Sequence, residues 1–467
     1  MRPWPAAFVL LALSLAAWAP GLGGEFQYDD LSNIVLDPAT SNLDALRERL
    51  ANGFRPLLRL SYVADHALWG FAPAGFLATN LLLHAGTVLT VWALARHRLT
   101  DERAAFIAAL AFALQPAHAA VVASASGRST GLSTLLLALA LLAHLRAGAA
   151  RVQAAGHGLP WRALSLLLFA LAVAAKEVAL VYPALLLLWV LTRGPRPELR
   201  SAALEAAPAG IAAALLGALL LMFGTRLREI SAYSLALATP FEALRTHAAA
   251  LPCSLSLWLR PWALGIEHEA LPPSAALPGG LALAAIVAAA LACRRRAPVA
   301  TLALLWPLAM LLPTHTILAR LDPVVEKALY SAWIGPSLGL GALAGWLLAR
   351  RSSRPSPWAG AALAGVAAAL VLCCAWRAAR WADPAALWQE ATRRAPDSPR
   401  AWRNRALAEF GAGRLEEAQH SIEHAMALDP TSSRTHDTAR AISLLLPPDA
   451  PSSAAPAAHI RPKEPAP

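Results

Sequence analysis

Charge is scarce in this chain: Asp, Glu, Lys and Arg together make up 15% of its 467 residues. Cysteine is scarcer, with four residues, and the 29 acids are outnumbered by 40 bases. So few charges beside 57% apolar residues and a mean hydropathy of +0.48 exclude an ordinary water-soluble enzyme and a chain disordered throughout. Four cysteines do not make a disulfide framework. Cys253, Cys293, Cys373 and Cys374 also lack metal-ligand spacing and read as packing groups, mostly in or beside apolar runs. The 27 glycines lack a collagen period. What remains is an integral membrane protein.

The net charge of +11 and pI near 10.3 do not point to nucleic acid, because the bases form no stripe beside stacking aromatics. They fall in short clusters between apolar runs, at 96–103, 146–162, 193–200, 294–296 and 350–354, the pattern of cytoplasmic loops. A helix needs about 20 apolar residues to cross the hydrocarbon core, or fewer where water or protein shields an end, and that criterion predicts about 11 spans. Their cores are 5–22, 74–95, 104–116, 131–145, 163–175, 178–191, 206–223, 279–293, 299–313, 332–349 and 358–376. The first resembles a signal peptide, with Arg2 ahead of it and Ala17-Trp18-Ala19 as a small-x-small site, but the spans that follow favour its retention. With Arg2 and the basic clusters inside, the polar segments 23–71, 117–130, 176–177, 225–278 and 314–331 all face the other side.

Composition shifts after the last span. Residues 381–446 carry charges at helical spacing, and the Pro/Ala/Ser-rich 447–467 reads as a disordered tail. Residues 399–432 fit the helix-turn-helix pattern of a tetratricopeptide repeat of about 34 residues: Trp402, Ala406, Gly413, Ala418, Ile422, Ala425 and Pro430. Trp388, Ala391 and Pro396 match the end of a preceding repeat, while Arg405 and Glu409 stand where the pattern prefers Leu and Tyr. So short an array is expected to dock on the membrane domain or on a protein partner, because isolated repeats cannot bury their faces.

The first external segment opens with Glu25-Phe26-Gln27-Tyr28-Asp29-Asp30. Adjacent carboxylates that repel each other under aromatic cover have raised pKa values and suit general-base work, although such a pair also serves simply to solvate a helix end. Charged or polar residues recur on the same side: His118 and Arg128, then Lys176 and Glu177, then Arg320, Glu326, Lys327 and Tyr330. Lys176-Glu177 interrupts about 30 otherwise apolar residues, so both groups must reach an aqueous cavity or charged partners. Arg128, Lys176, Arg320 and Lys327 suit a phosphate or pyrophosphate at the membrane surface; unrelated snorkelling cations are the competing explanation. No Gly-rich phosphate loop is evident.

Six stretches, in order, resemble the GT-C glycosyltransferases, and within them the protein O-mannosyltransferase-like proteins that join a multispan membrane domain to tetratricopeptide repeats. They are FQYDDLSNIVLDP (26–38), FRPLLRLSYVADHALWGFAPAGFLATNLLLH (54–84), QPAHAAVVASASGRSTGLS (115–133), AKEVAL (175–180), LPTHTILARLDPVVEKALY (312–330) and WADPAALWQEATRRAPDSPRAWRN (381–404). The resemblance implies an all-α polytopic bundle that transfers a hexose such as mannose from a polyprenyl- or dolichyl-phosphate donor to an extracytoplasmic protein or glycan acceptor. It carries the catalytic base onto Asp29 or Asp30 and phosphate binding onto Arg128 and Lys176, then Arg320 and Lys327. Glu177 and Glu326 would orient those cations, Tyr330 would bond phosphate or sugar, and His118 is a supporting residue.

Two departures from the family pattern stand out. Ala120 occupies the place of an acid two positions after His118, which weakens any metal site there, and Lys327 replaces the usual arginine. No metal is assigned, and divalent-metal dependence stays open. A non-catalytic scaffold whose repeats recruit partners, and a lipid-sugar flippase, are the alternatives; the second lacks the related halves common in transporters. The Ala-, Leu- and Arg-heavy usage suggests a bacterial inner membrane with periplasmic active site and C-terminal domain.

Overall fold

The computed structural model of the chain describes residues 3–52, 55–153, 158–194, 198–223, 234, 236, 238–269, 271–315, 320, 322–350 and 357–444. All regular structure among them is helical. The expected disordered tail, 447–467, lies outside the described residues, as do Arg2 and most of the basic cluster 350–354. The chain divides into two compact units, Met1–Asp383 and Pro384–Pro467.

Among the described residues of the first unit, seven helices are long and apolar enough to cross a membrane: Trp4–Gly23, Pro73–Arg98, Ala125–Ala149, Gly158–Ala175, Leu199–Met222, Pro273–Cys293 and Gly360–Ala382. Two bent pairs, Glu102–Ala113 with Pro116–Val122 and Glu326–Ala332 with Ile334–Arg350, bring the number to nine, each bent by 49°. The chain is a helical membrane protein. Two shorter apolar helices, Glu177–Leu191 and Pro298–Thr314, lie among them.

The bends follow from local chemistry. Pro116 has no amide hydrogen and cannot continue the helix that ends at Ala113, so the last carbonyls of that helix lose their partners. In a bilayer such carbonyls must be satisfied within the protein. The indole of Trp333 donates to the Ala111 carbonyl at 2.8 Å and that of Trp18 to Ala113 at 3.0 Å, while the Trp306 indole reaches the Ser331 carbonyl beside the second bend at 3.0 Å. Close helix contact is set by missing side chains: a Cβ at Gly341 would stand 2.5 Å from the Ala104 carbonyl oxygen. Glycine there lets Ile334–Arg350 lie directly on Glu102–Ala113.

The long polar segments are not bare loops. Segment 23–71 carries helices Leu43–Asn52 and Pro56–Trp69, and segment 225–278 carries Pro240–Ser256, started by a capping box between Thr239 and Glu242. Ile34, Leu58, Tyr62, Phe76 and Ala125 form a buried cluster beneath the first of these segments, with Phe26 packed edge-on against Phe76.

Among the described residues the second unit has four short helices, Pro384–Arg394, Pro399–Gly411, Leu415–Leu428 and Ser433–Ser443. Gly413, at φ 74°, makes the turn between the middle pair. Small Ala406, Ala418 and Ala425 let that pair close around Ile422. Arg405 and Glu409 form a polar tie rather than an apolar contact: Arg405 Nε lies 2.7 Å from Glu409, whose other oxygen accepts from the Ser421 hydroxyl at 2.6 Å.

Candidate active site

One cavity of about 740 Å³ opens in the membrane unit. Its wall combines the first polar segment, the serine-rich turn before Arg128–Gln153, the Lys176-Glu177 break, the turn after Pro298–Leu311 and the start of Glu326–Ala332. Asp29, Lys176, Glu177, Arg320, Glu326 and Lys327 all line it. Stretches as far apart as residues 29 and 327 therefore meet around one hollow. Apolar residues line it as well, among them Leu137, Leu180, Gly217, Leu220, Leu221 and Met310.

Asp29 and Asp30 have different environments. Asp29 is partly exposed to the cavity, with Lys327 Nζ 3.2 Å from its Oδ2. Lys327 also donates to the Ser126 hydroxyl at 3.0 Å. Asp30 is buried and is not part of the lining; its Oδ1 accepts from the Ser126 amide at 2.7 Å and its Oδ2 from the Gln27 amide at 3.4 Å. Burial raises the Asp30 carboxyl above the usual range, opposed by Lys327 and by the Ser126 hydrogen bonds. It ties the first segment to the serine turn. That turn is tight, because a Cβ at Gly127 would stand 2.5 Å from the Val121 carbonyl oxygen.

Arg128 departs from the expectation that it holds a donor phosphate. Its guanidinium is fully buried and held by protein groups: an ion pair with Asp65 at 2.5 Å and hydrogen bonds to Asn80 Oδ1 at 2.9 Å, the Phe76 carbonyl at 2.6 Å and the Ser61 carbonyl at 3.2 Å. Asn80 in turn donates to the Ser124 carbonyl at 2.6 Å, so this network holds the serine turn from below. Tyr330 and His118 are likewise buried outside the lining. The Tyr330 hydroxyl lies 2.9 Å from His84 Nδ1, and the His118 ring packs 4.5 Å from the Tyr330 ring and 4.8 Å from Phe112. Ala120, the departure from the family pattern noted in the sequence, lines the cavity. Among the described residues no group of three or more His, Cys, Asp or Glu is placed to hold a metal ion.

The cations divide by partner. Lys176 donates to the Thr130 hydroxyl at 2.6 Å. Burial, and then the neighbouring Arg55, push its ammonium down to about 7. Glu326 accepts from the Gly265 amide and stands 3.4 Å from His268 Nε2 and 4.0 Å from Arg377. Glu177 pairs with Arg55 through two bonds, Nε at 2.9 Å and Nη2 at 2.8 Å.

Arg55 lies on the cavity, and reasoning about charge at membrane depth missed it because it stands in a long polar segment. Its backbone is left-handed, as is that of Tyr28; these are the two non-glycine residues of positive φ among the described residues, and both line the cavity. Composition held a further signal. Of 40 basic residues three are lysine, at positions 176, 327 and 463, and two of the three meet in this cavity. In a chain that otherwise uses arginine, retained lysines mark places where a compact, titratable cation differs from a guanidinium.

No known protein-family model matches the chain, and no solved structure matches it either. Curated proteins do match in part. A protein O-mannosyl-transferase of Caenorhabditis elegans is 26% identical over 30% of the chain and 22% of its own length. Protein O-mannosyl-transferase TMTC1 of Mus musculus is 32% identical over 31% of the chain and 17% of its own. TMTC4 of Homo sapiens is 30% identical over 38% and 28%. The matched part of the chain thus spans under a third of each of these relatives, and the chain is distantly and partially similar to TMTC protein O-mannosyl-transferases.

Proposed function

We propose that this chain is a membrane glycosyltransferase of the GT-C type that moves a hexose, with mannose the first candidate, from a polyprenyl- or dolichyl-phosphate carrier to a hydroxyl of a protein acceptor. The observation that carries the reading is the cavity itself: four carboxylates (Asp29, Glu177, Asp322 and Glu326), two lysines and two arginines line one hollow together with apolar side chains suited to an isoprenoid chain. Partial similarity to protein O-mannosyl-transferases supports the same class.

In this reading Asp29 takes the proton of the acceptor hydroxyl as its oxygen attacks the anomeric carbon. The bond from that carbon to the phosphate oxygen breaks, and its electron pair leaves with the carrier phosphate. Lys176, Arg320 and Lys327 neutralise the charge that grows on the phosphate. Lys327, already 3.2 Å from Asp29, links base and leaving group. Asp30, Arg128, Tyr330 and His118 support the wall without touching substrate. Glu177 and Glu326 hold neighbouring groups in place.

Counting the two shorter apolar helices as spans brings the bundle to about 11 crossings. The basic clusters then face the cytoplasm, and the cavity opens at the outer face of a bacterial inner membrane. The C-terminal hairpins act as tetratricopeptide-like repeats that recognise a protein. The test compares transfer of radiolabelled hexose from polyprenyl-phosphate hexose by wild type, Asp29→Asn and Asp30→Asn at equal amounts of folded protein. Asp29→Asn is expected to lose about 10²–10⁴-fold in rate. Transfer unaffected by Asp29→Asn would remove the base assignment, and no transfer by wild type to any protein acceptor would remove the function.

A further inference from the structure

We infer that Arg55 is a positioning residue: by taking both oxygens of Glu177 it keeps that carboxylate off Lys176 and leaves the Lys176 ammonium open to an anion in the cavity. Its role toward a donor phosphate rests on the glycosyl-transfer reading above; its role toward Lys176 does not.

The geometry is specific. Glu177 follows Lys176 directly in the chain and attracts its ammonium electrostatically, and a carboxylate that reaches an ammonium forms a charge-assisted hydrogen bond with it. Here the Glu177 oxygens bond Arg55 Nε and Nη2 instead, at 2.9 and 2.8 Å, and Lys176 turns its ammonium to the Thr130 hydroxyl. The break in the helix makes this division possible. Lys176 is extended, at φ −160° and ψ 127°, and Glu177 opens the tight turn Glu177–Val181. The partner arrives from 122 residues earlier in the chain.

Arg55 is held for this purpose in a disfavoured backbone. It sits at φ 62° and ψ 57°, directly before Pro56, where a following proline disfavours helical conformations and a side chain disfavours the left-handed region. Surrounding contacts must hold such a conformation, and the two-pronged bond to Glu177 is one that a guanidinium makes and an ammonium does not. The groups facing Lys176 are Arg55 from the first polar segment, Glu177 from its own turn, Arg320 from the turn before Glu326–Ala332 and Lys327 from that helix. Asp29 lies on Lys327 and Asp322 acts on Arg320, so Glu177 is the carboxylate that acts on Lys176 itself, and Arg55 occupies it. The depressed Lys176 ammonium agrees with that arrangement.

The scarcity of lysine supplies the experiment. In full-length protein carrying Lys327→Arg and Lys463→Arg, acetic anhydride labels one lysine side chain, and mass spectrometry follows Lys176 acylation against pH. The labelling midpoint is expected near 7 with Arg55 intact and about one unit or more higher in Arg55→Gln, where Glu177 turns to Lys176. Adding Glu177→Gln to Arg55→Gln should bring the midpoint back down. Arg55→Met, which adds no lysine, should give a similar rise and serves if Arg55→Gln does not fold. An unchanged midpoint in both Arg55 variants, or a double variant that retains the upward shift, overturns the assignment.

A second arm uses farnesyl phosphate as the anionic probe and Lys327 and Lys463 intact. Its affinity at pH 7 should fall at least about fivefold in Arg55→Gln and recover in the double variant. Equal affinity across the series overturns the anion-binding role. A midpoint that shifts as expected in a protein that transfers no sugar leaves the action of Arg55 on Lys176 standing and sinks the enzymatic reading instead.

Discussion

At the scale of single residues, neighbours in sequence do different work. Asp29 faces the cavity and Asp30 faces the serine turn, and the division depends on Tyr28, whose φ of 50° sets the direction of the chain just before them. Asp30→Ala should cost stability rather than chemistry, about 1–3 kcal/mol for the Ser126 amide left without an acceptor, read as a lower thermal midpoint. In the proposed reaction Lys176 makes donor binding pH-dependent. With its ammonium at about 7, the cation is present below that pH and is lost above it. Donor KM should therefore rise as pH passes upward through 7, and Lys176→Arg should abolish the rise. The sequence made the Asp pair and the Lys-Glu break visible as charges out of place. It did not tell Asp29 from Asp30, because that choice lies in backbone angles, nor did it reveal Arg55, whose partner is remote.

At the scale of elements, buried charge is a fastener as often as a ligand. Arg128 begins the helix Arg128–Gln153, and its fork holds Pro56–Trp69 through Asp65 and Pro73–Arg98 through Asn80. Arg128→Met should destabilise by about 3–5 kcal/mol, since Asp65 would remain buried and unpaired, and Asp65→Leu in the same chain should recover much of the loss. Thermal unfolding of the single and double variants measures both. Hydropathy exposed this arginine as anomalous but not its partners, because they include the carbonyls of Ser61 and Phe76, which any residue would supply. Spans were legible wherever apolar runs were long. The bends were not placed, because their stability comes from tryptophan indoles distant in sequence.

At the scale of the whole molecule, the membrane unit has its own core and cavity, and the C-terminal unit has its own small core around Ile422. Removing 384–467 should leave farnesyl phosphate affinity unchanged while altering acceptor choice; a loss of affinity would place the C-terminal unit in donor binding. The helix Leu199–Met222 contributes Gly217, Leu220 and Leu221 to the cavity, yet only 11% of its apolar window is buried by protein. Most of its surface is left for acyl chains to press on. One wall of the hollow is therefore propped by the bilayer, and hydrophobic thickness becomes part of the site's shape. The same polypeptide should show different donor KM values in nanodiscs of short- and long-chain lipids, and detergent, which supplies no lateral order, should blur the pocket that the membrane keeps in form.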